Sequence, residues 1–165
     1  MPATYEPIAT TTLGSAAASI TFSSIAGTYT DLRLVFVAKS TNGDNIRIQF
    51  NGDTSSSNYS STWISGNGST ASSSRNTDLS RIQLPSSLDS TQPALVTIDI
   101  FSYAGSTNKT VLVEESKDLN GSGVVARQVS CWRNTSAITT IFLESQGGGT
   151  FMSGTTATLY GIKNA

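Results

Sequence analysis

Between Asp31 and Phe50 apolar side chains recur at every second residue, a period that fits a β-strand with one core-facing side and does not fit a helix. Leu32, Leu34, Phe36 and Ala38 share one side of the first segment. Ile46, Ile48 and Phe50 share one side of the second, with Arg47 and Gln49 opposite. The polar stretch Ser40 to Asn45 between them has turn chemistry, so the pattern predicts a β-hairpin, followed by a second turn at Asn51-Gly52-Asp53. Val35 and Val37 make the other side of the outgoing arm apolar as well, which predicts a strand covered on both faces and placed inside its sheet.

The remaining sequence repeats this grammar with shorter words. Strands are expected near 5–13, 18–22, 59–65, 78–84, 94–101, 109–115, 124–133, 137–143 and 155–162, separated by Gly, Asn, Pro and Ser signals. The Ser- and Gly-rich tract from Gly66 to Ser74 reads as an exposed loop at one end of the fold. No stretch sustains a 3.6-residue period, and strands do not alternate with helices. That pattern predicts an all-β chain, an antiparallel β-sandwich of jelly-roll type with about 8 to 11 short strands. A seven-stranded immunoglobulin-type domain would leave about sixty residues unused. With 165 residues and no break in composition, the chain reads as residues 1–13, an extended N-terminal arm held by Pro2 and Pro7, followed by a single jelly-roll β-sandwich domain over 14–165.

Composition narrows the chemistry. Only 13% of residues are charged, the net charge is −1 and there is no His, which argues against a nucleic-acid partner and leaves no histidine for acid–base catalysis. Ser and Thr supply roughly three residues in ten, a polarity suited to strand exteriors and turns. A surface so poor in charge favours burial in an assembly over life as a dilute monomer. The single Cys131 cannot form an internal disulfide and reads as a small packed residue. No secretion signal opens the chain, and no apolar run is long enough to span a membrane.

Ionisable side chains are scattered. Glu114 and Glu115 are adjacent, but neighbours on a strand point to opposite faces, so no acid–base pair forms and the chain is expected not to be an enzyme or to hold a cofactor. Asn42-Gly-Asp-Asn45 and Asn51-Gly-Asp53 carry oxygen ligands of the calcium-binding kind, yet they bracket a strand of roughly 17 Å, so no metal site is expected. Tyr59, Trp63 and Trp132 offer either a sugar-stacking platform or core anchors. The cations Arg33, Arg47, Arg75, Arg81, Arg127, Arg133, Lys39, Lys109, Lys117 and Lys163 read as single charges on outward strand positions or loops, or as partners for acids of a neighbouring subunit.

The stretch from Tyr5 to Leu34, with Glu6-Pro-Ile-Ala, Ser19-Ile-Thr-Phe and Gly27-Thr-Tyr-Thr-Asp-Leu, resembles the opening of a set of tailed-bacteriophage structural proteins. Phe50-Asn-Gly-Asp-Thr, Asn58-Tyr-Ser, Ser65-Gly-Asn-Gly-Ser, Cys131-Trp-Arg-Asn-Thr-Ser and the terminal Gly154-Thr-Thr-Ala-Thr-Leu-Tyr-Gly-Ile162 look like further pieces of that pattern. The resemblance implies a virion protein on the capsid surface, made in the host cytoplasm. It implies a small jelly-roll decoration (cement) protein that trimerises and binds the major capsid protein, with no nucleic acid and no membrane involved. The alternative it leaves open is a tail-fibre or receptor-binding protein with a carbohydrate receptor. The opening Met, the absence of a fibre-like repeat and the end after the last strand favour the stand-alone decoration protein. Residues expected to bind neighbours are Tyr5, Pro7 and Ile8 on the arm, with Tyr59 and Trp63 as the anchors beyond it.

Overall fold

The computed structural model describes residues 4–163. Twelve strands form two antiparallel sheets that share one core. They are β1 (Tyr5–Thr12), β2 (Ser19–Phe22), β3 (Asp31–Ala38), β4 (Asn45–Phe50), β5 (Tyr59–Gly66), β6 (Ala71–Leu79), β7 (Ile82–Ser87), β8 (Ala94–Phe101), β9 (Lys109–Asp118), β10 (Gly123–Trp132), β11 (Ile141–Ser145) and β12 (Thr156–Ile162). The large sheet runs β1-β12-β3-β8-β9-β10-β5-β6, and the small one β2-β11-β4-β7. The fold is therefore a β-sandwich with sheets of unequal width.

Period two places the core. Leu32, Leu34 and Phe36 on β3, Val96, Ile98 and Ile100 on β8, and Val111 and Val113 on β9 point inward from the large sheet and are almost wholly buried. Ile46, Ile48 and Phe50 on β4, Ile82 and Leu84 on β7, and Ile141 and Leu143 on β11 meet them from the small sheet. Aromatic rings close the two ends of this layer. Phe36 meets Phe151 edge-on at 5.2 Å between centroids, and Phe50 packs on Trp132 at 5.6 Å.

The expected 31–50 hairpin does not form. β3 pairs with β12 and β8 in the large sheet, whereas β4 pairs with β11 and β7 in the small one. Alternation specifies which side chains enter the core, but here both sheets line that core, so the same pattern serves two strands facing each other across it. The connecting residues 39–44 carry the chain from one sheet to the other, held where the Ser40 N–H donates to the Asp89 carbonyl (3.0 Å) and the Leu88 N–H to that of Asp44 (2.9 Å). β3 does lie inside its sheet, but its second side, with Val35 and Val37, is only half-buried.

Three further segments depart from expectation. The strand expected at 78–84 is broken at Ser80-Arg81, its first residues ending β6 in the large sheet and Ile82 opening β7 in the small one. The 66–74 tract is no loop. Its turn is confined to the residues between Gly66 and Ala71, where the Asn67 side chain accepts the Ser69 and Thr70 N–H groups, and Ala71 to Leu79 returns as β6 along β5. The strand expected at 137–143 starts at Ile141, with Ile138 buried in the connection before it. Tyr5 to Thr12, within the segment read as an arm, is extended and pairs along β12 as the edge of the large sheet, with Lys163 on Glu6 at 2.9 Å. Met1, Pro2 and Ala3 lie outside the described residues.

Candidate functional site

Strand β10 decides where the exposed apolar residues lie, because it is inverted. Its inward positions are Ala126, Gln128, Ser130 and Trp132, and its outward ones are Val125, Arg127, Val129 and Cys131. Apolar content alone would turn the valines inward. Trp132 sets the opposite register: its ring is fully buried between Phe50 and Tyr59, and its Nε1–H donates to Asp53 Oδ2 at 2.8 Å. Once Trp132 points in, alternation puts Val129 and Val125 on the outside.

The outward positions register into rows across the large sheet. Leu95, Ser116, Val125, Gly66 and Ala71 stand side by side on β8, β9, β10, β5 and β6. Thr97, Glu114, Arg127, Ile64 and Ser73 form the next row, and Asp99, Leu112, Val129, Thr62 and Arg75 the one after. On the other side of β8 the rows continue through Val37, Val35 and Arg33 of β3 to Thr156, Thr158 and Tyr160 of β12. Every large apolar side chain that is exposed among the described residues lies on this face: Tyr5, Ile64, Leu95, Phe101, Val125 and Val129, with Ile64 at 61% and Val125 at 65%. The outer face of the small sheet instead carries Thr21, Arg47, Gln49, Gln83, Phe142 and Glu144.

Two ion pairs lie on the apolar face, while Arg75 at its β6 end has no ion-pair partner among the described residues. Arg33 grips Asp99 with two bonds, 2.6 and 2.8 Å, and its guanidinium lies 5.7 Å from the centre of the Tyr5 ring. The bond to Asp99 raises the Arg33 pKa above its ordinary value. Arg127 binds Glu114 across β9 and β10. Between β8 and β6 the face dips into an open trough of about 830 Å³ lined by Ile64, Ala71, Leu95 and Val125 together with the paired Glu114 and Arg127. Such a surface can hold an apolar partner by desolvation, with two of its cations already held by acids on the same face.

No family model, curated protein or solved structure matches this chain.

The residues singled out in the sequence fall in different places. Tyr5 and Pro7 are exposed on β1, with Tyr5 at one corner of the apolar face beside Ile162, while Ile8 is half-buried against the core. Trp63 is half-buried on β5 opposite Gln128. Tyr59 is wholly buried, which removes it from any surface: its hydroxyl accepts the Phe50 N–H (3.1 Å) and donates to the Asp53 carbonyl (3.2 Å), and burial pushes its pKa up to about 12. Trp132 and Tyr59 are core anchors rather than a stacking platform. Nothing in the strand pattern flagged Ile64, Leu95, Phe101, Val125 and Val129. The signal that could have found the two β10 valines is their odd separation from Trp132, three and seven residues, since a buried Trp fixes which parity faces in.

The Asn/Asp turns are used internally. Burial alone would raise the Asp53 pKa, but N–H groups from Trp132, Asn58 and Ser55 hold it down at about 2. Asn51 Oδ1 accepts the N–H groups of Thr139 and Thr140, and Asp44 Oδ2 that of Gly149 at 2.8 Å. These turns sit at opposite ends of β4, and among the described residues no group of acidic, Cys or His side chains gathers that could hold a metal. The expectation that the cations stand outward fails for Lys117, which shares the inward parity of β9 and donates to the Ser87 carbonyl of β7, and for Lys109. The Lys109 side chain is fully buried, its ammonium donating to the Gly105 (2.6 Å) and Thr107 carbonyls, so that desolvation lowers its pKa. It caps the 102–108 turn from inside.

Proposed function

We propose that this chain is a virion structural protein, a capsid decoration (cement) protein that binds the outside of an assembled bacteriophage head through the outer face of its large sheet. The observation that carries this reading is the one-sided placement of exposed apolar residues on a face where Arg33 and Arg127 are already paired with Asp99 and Glu114. With strands about 4.8 Å apart and rows about 6.7 Å apart, that face offers roughly 700 Å², close to one partner's share of a stable protein interface. Binding there needs no chemistry. A ligand that attaches only to the mature lattice stabilises it by mass action, and repetition over a symmetric shell adds avidity. In this reading the protein acts as a homotrimer, contacting the major capsid protein and its own copies.

Strand order supports the jelly-roll assignment within this proposal. The small sheet, β2-β11-β4-β7, and the run β3-(β8-β9-β10)-β5-β6 reproduce two interleaved Greek keys if the β8–β9–β10 meander stands in for one strand. An odd number of strands preserves antiparallel pairing on both sides, so the substitution costs the topology nothing. β1 and β12 then extend one edge. The trough is lined by aliphatic and small side chains rather than rings, which favours a protein partner over the sugar receptor of a tail fibre.

Copy number in purified virions tests the placement. A decoration protein is present at on the order of hundreds of copies per particle because its contact repeats with the lattice. A count of a few to a few dozen would assign it to the tail, and particles lacking it that adsorb poorly yet resist heating would do the same.

A further inference from the structure

The inverted register of β10 has a second consequence on its inner side. It buries Gln128 and Ser130 at 1% and 2% exposure beside Ser61 of β5, and diagonally across the ladder from them, opposite Ala126, lies Glu115 of β9 at 2%. β7 closes over this polar patch: the Ser86 N–H donates to Glu115 Oε2 at 3.1 Å. Gln128 Nε2 donates to Ser130 Oγ (2.8 Å) and Ser61 Oγ (3.2 Å). Two buried acceptors on this inner face then have no hydrogen-bond partner among the described residues, Glu115 Oε1 and Gln128 Oε1. Two acceptors cannot satisfy each other, and a buried ionised carboxylate with one N–H donor carries a large desolvation cost. A single proton resolves both, because long side chains at diagonal positions of an antiparallel ladder are within reach of each other.

We infer that the folded protein holds Glu115 as a neutral carboxylic acid whose Oε1–H donates to Gln128 Oε1, and that this proton latches β7, the edge of the small sheet, onto the large one. Loss of the proton leaves a carboxylate facing a carbonyl oxygen in a dry seam, and the seam loosens. The surroundings offer little rescue. β7 presents no ionisable side chain, and the inward residues of β10, β5 and β8 around Glu115 include Ala126, Gln128, Ser130, Ser61, Trp63, Ser65 and Val96, none of them charged. Tyr59 lies with Trp132 at the far end of the ladder, and the cation that acts on Glu115 is Lys117 on β9. The Lys117 ammonium is engaged with the Ser87 carbonyl and lies near Asp89, so it offsets the burial of Glu115 only in part. Burial, the largest influence, pushes the Glu115 pKa up to about 7 from 4.5. An acid raised on folding contributes full stability below its unfolded pKa and loses it as pH rises through the folded one. The latch is therefore closed at pH 5 and open above about 8.

The test is carboxyl ¹³C titration of the Glu-labelled full chain, which contains only four glutamates, Glu6, Glu114, Glu115 and Glu144. One resonance, absent from Glu115→Gln, should titrate near 7. In parallel, the folding equilibrium constant of the wild type should fall on the order of a hundredfold more than that of Glu115→Gln between pH 5 and 8.5, because Gln presents an N–H to Gln128 at every pH. All four glutamates titrating below about 5 would overturn the inference and place the Gln128 amide the other way round, donating to an ionised Glu115. Should Glu115→Gln not fold, the wild-type titration alone decides.

Discussion

Asp53 ties three segments together through one carboxylate, and its contribution can be weighed. It accepts from Trp132, Asn58 and Ser55, the first of which fixes the register of β10. Asp53→Ala should cost about 2 kcal/mol in urea unfolding, the range for hydrogen bonds to a charged group. Because its pKa falls to about 2 from 3.8, the stability it provides is present above pH 4 and lost as pH drops toward 2. Acid unfolding of Asp53→Asn should accordingly be shallower than that of the wild type. Phe36, fully buried against Phe151, is a different kind of residue: Phe36→Ala should cost about 3–5 kcal/mol through the cavity it leaves. The outward valines belong to a third kind. Val125→Thr and Val129→Thr should change stability by no more than about 0.5 kcal/mol, since their side chains already face solvent.

Elements differ in how much holds them. β3, β8 and β9 are paired on both edges and carry the core, while β6 is paired only with β5 and is exposed over nearly its whole length. Hydrogen exchange should find β6 amides exchanging orders of magnitude faster than those of β8, and protection of β6 close to the global value in the isolated protein would contradict this account. The same contrast explains what the sequence made legible. Strands with a clean alternation, β3, β4, β8, β9 and β12, were readable because burial on one side writes the period directly. β6 was not, because a strand with neither face buried carries no apolar period, and its Ser-Ser-Ser run reads as loop. The destination of β4 was also illegible: two sheets that share a core impose the same pattern, and only the pairing of β4 with β11 and β7 distinguishes them. The exposed apolar face escaped for a related reason, since the valines of β10 look like core until Trp132 is seen to claim the other parity.

At the scale of the whole molecule, a wide sheet whose outer face carries the exposed apolar side chains backs onto a narrow sheet with a more polar one. That asymmetry gives the molecule one face suited to holding a partner and one suited to water, the arrangement expected of a protein that sits on a larger particle. It is also where a local rule of folding is broken, with valines out and Gln128 in, and such conflicts mark places where a requirement other than stability has shaped the chain. The decisive measurement is add-back occupancy on heads that lack this protein, comparing wild type with the double variant Ile64→Asp, Val125→Asp after both are shown to melt cooperatively. The account predicts saturating occupancy for the wild type and less than about one tenth of it for the variant, as two charges buried in an apolar contact cost several kcal/mol. Equal occupancy by the folded variant would contradict it.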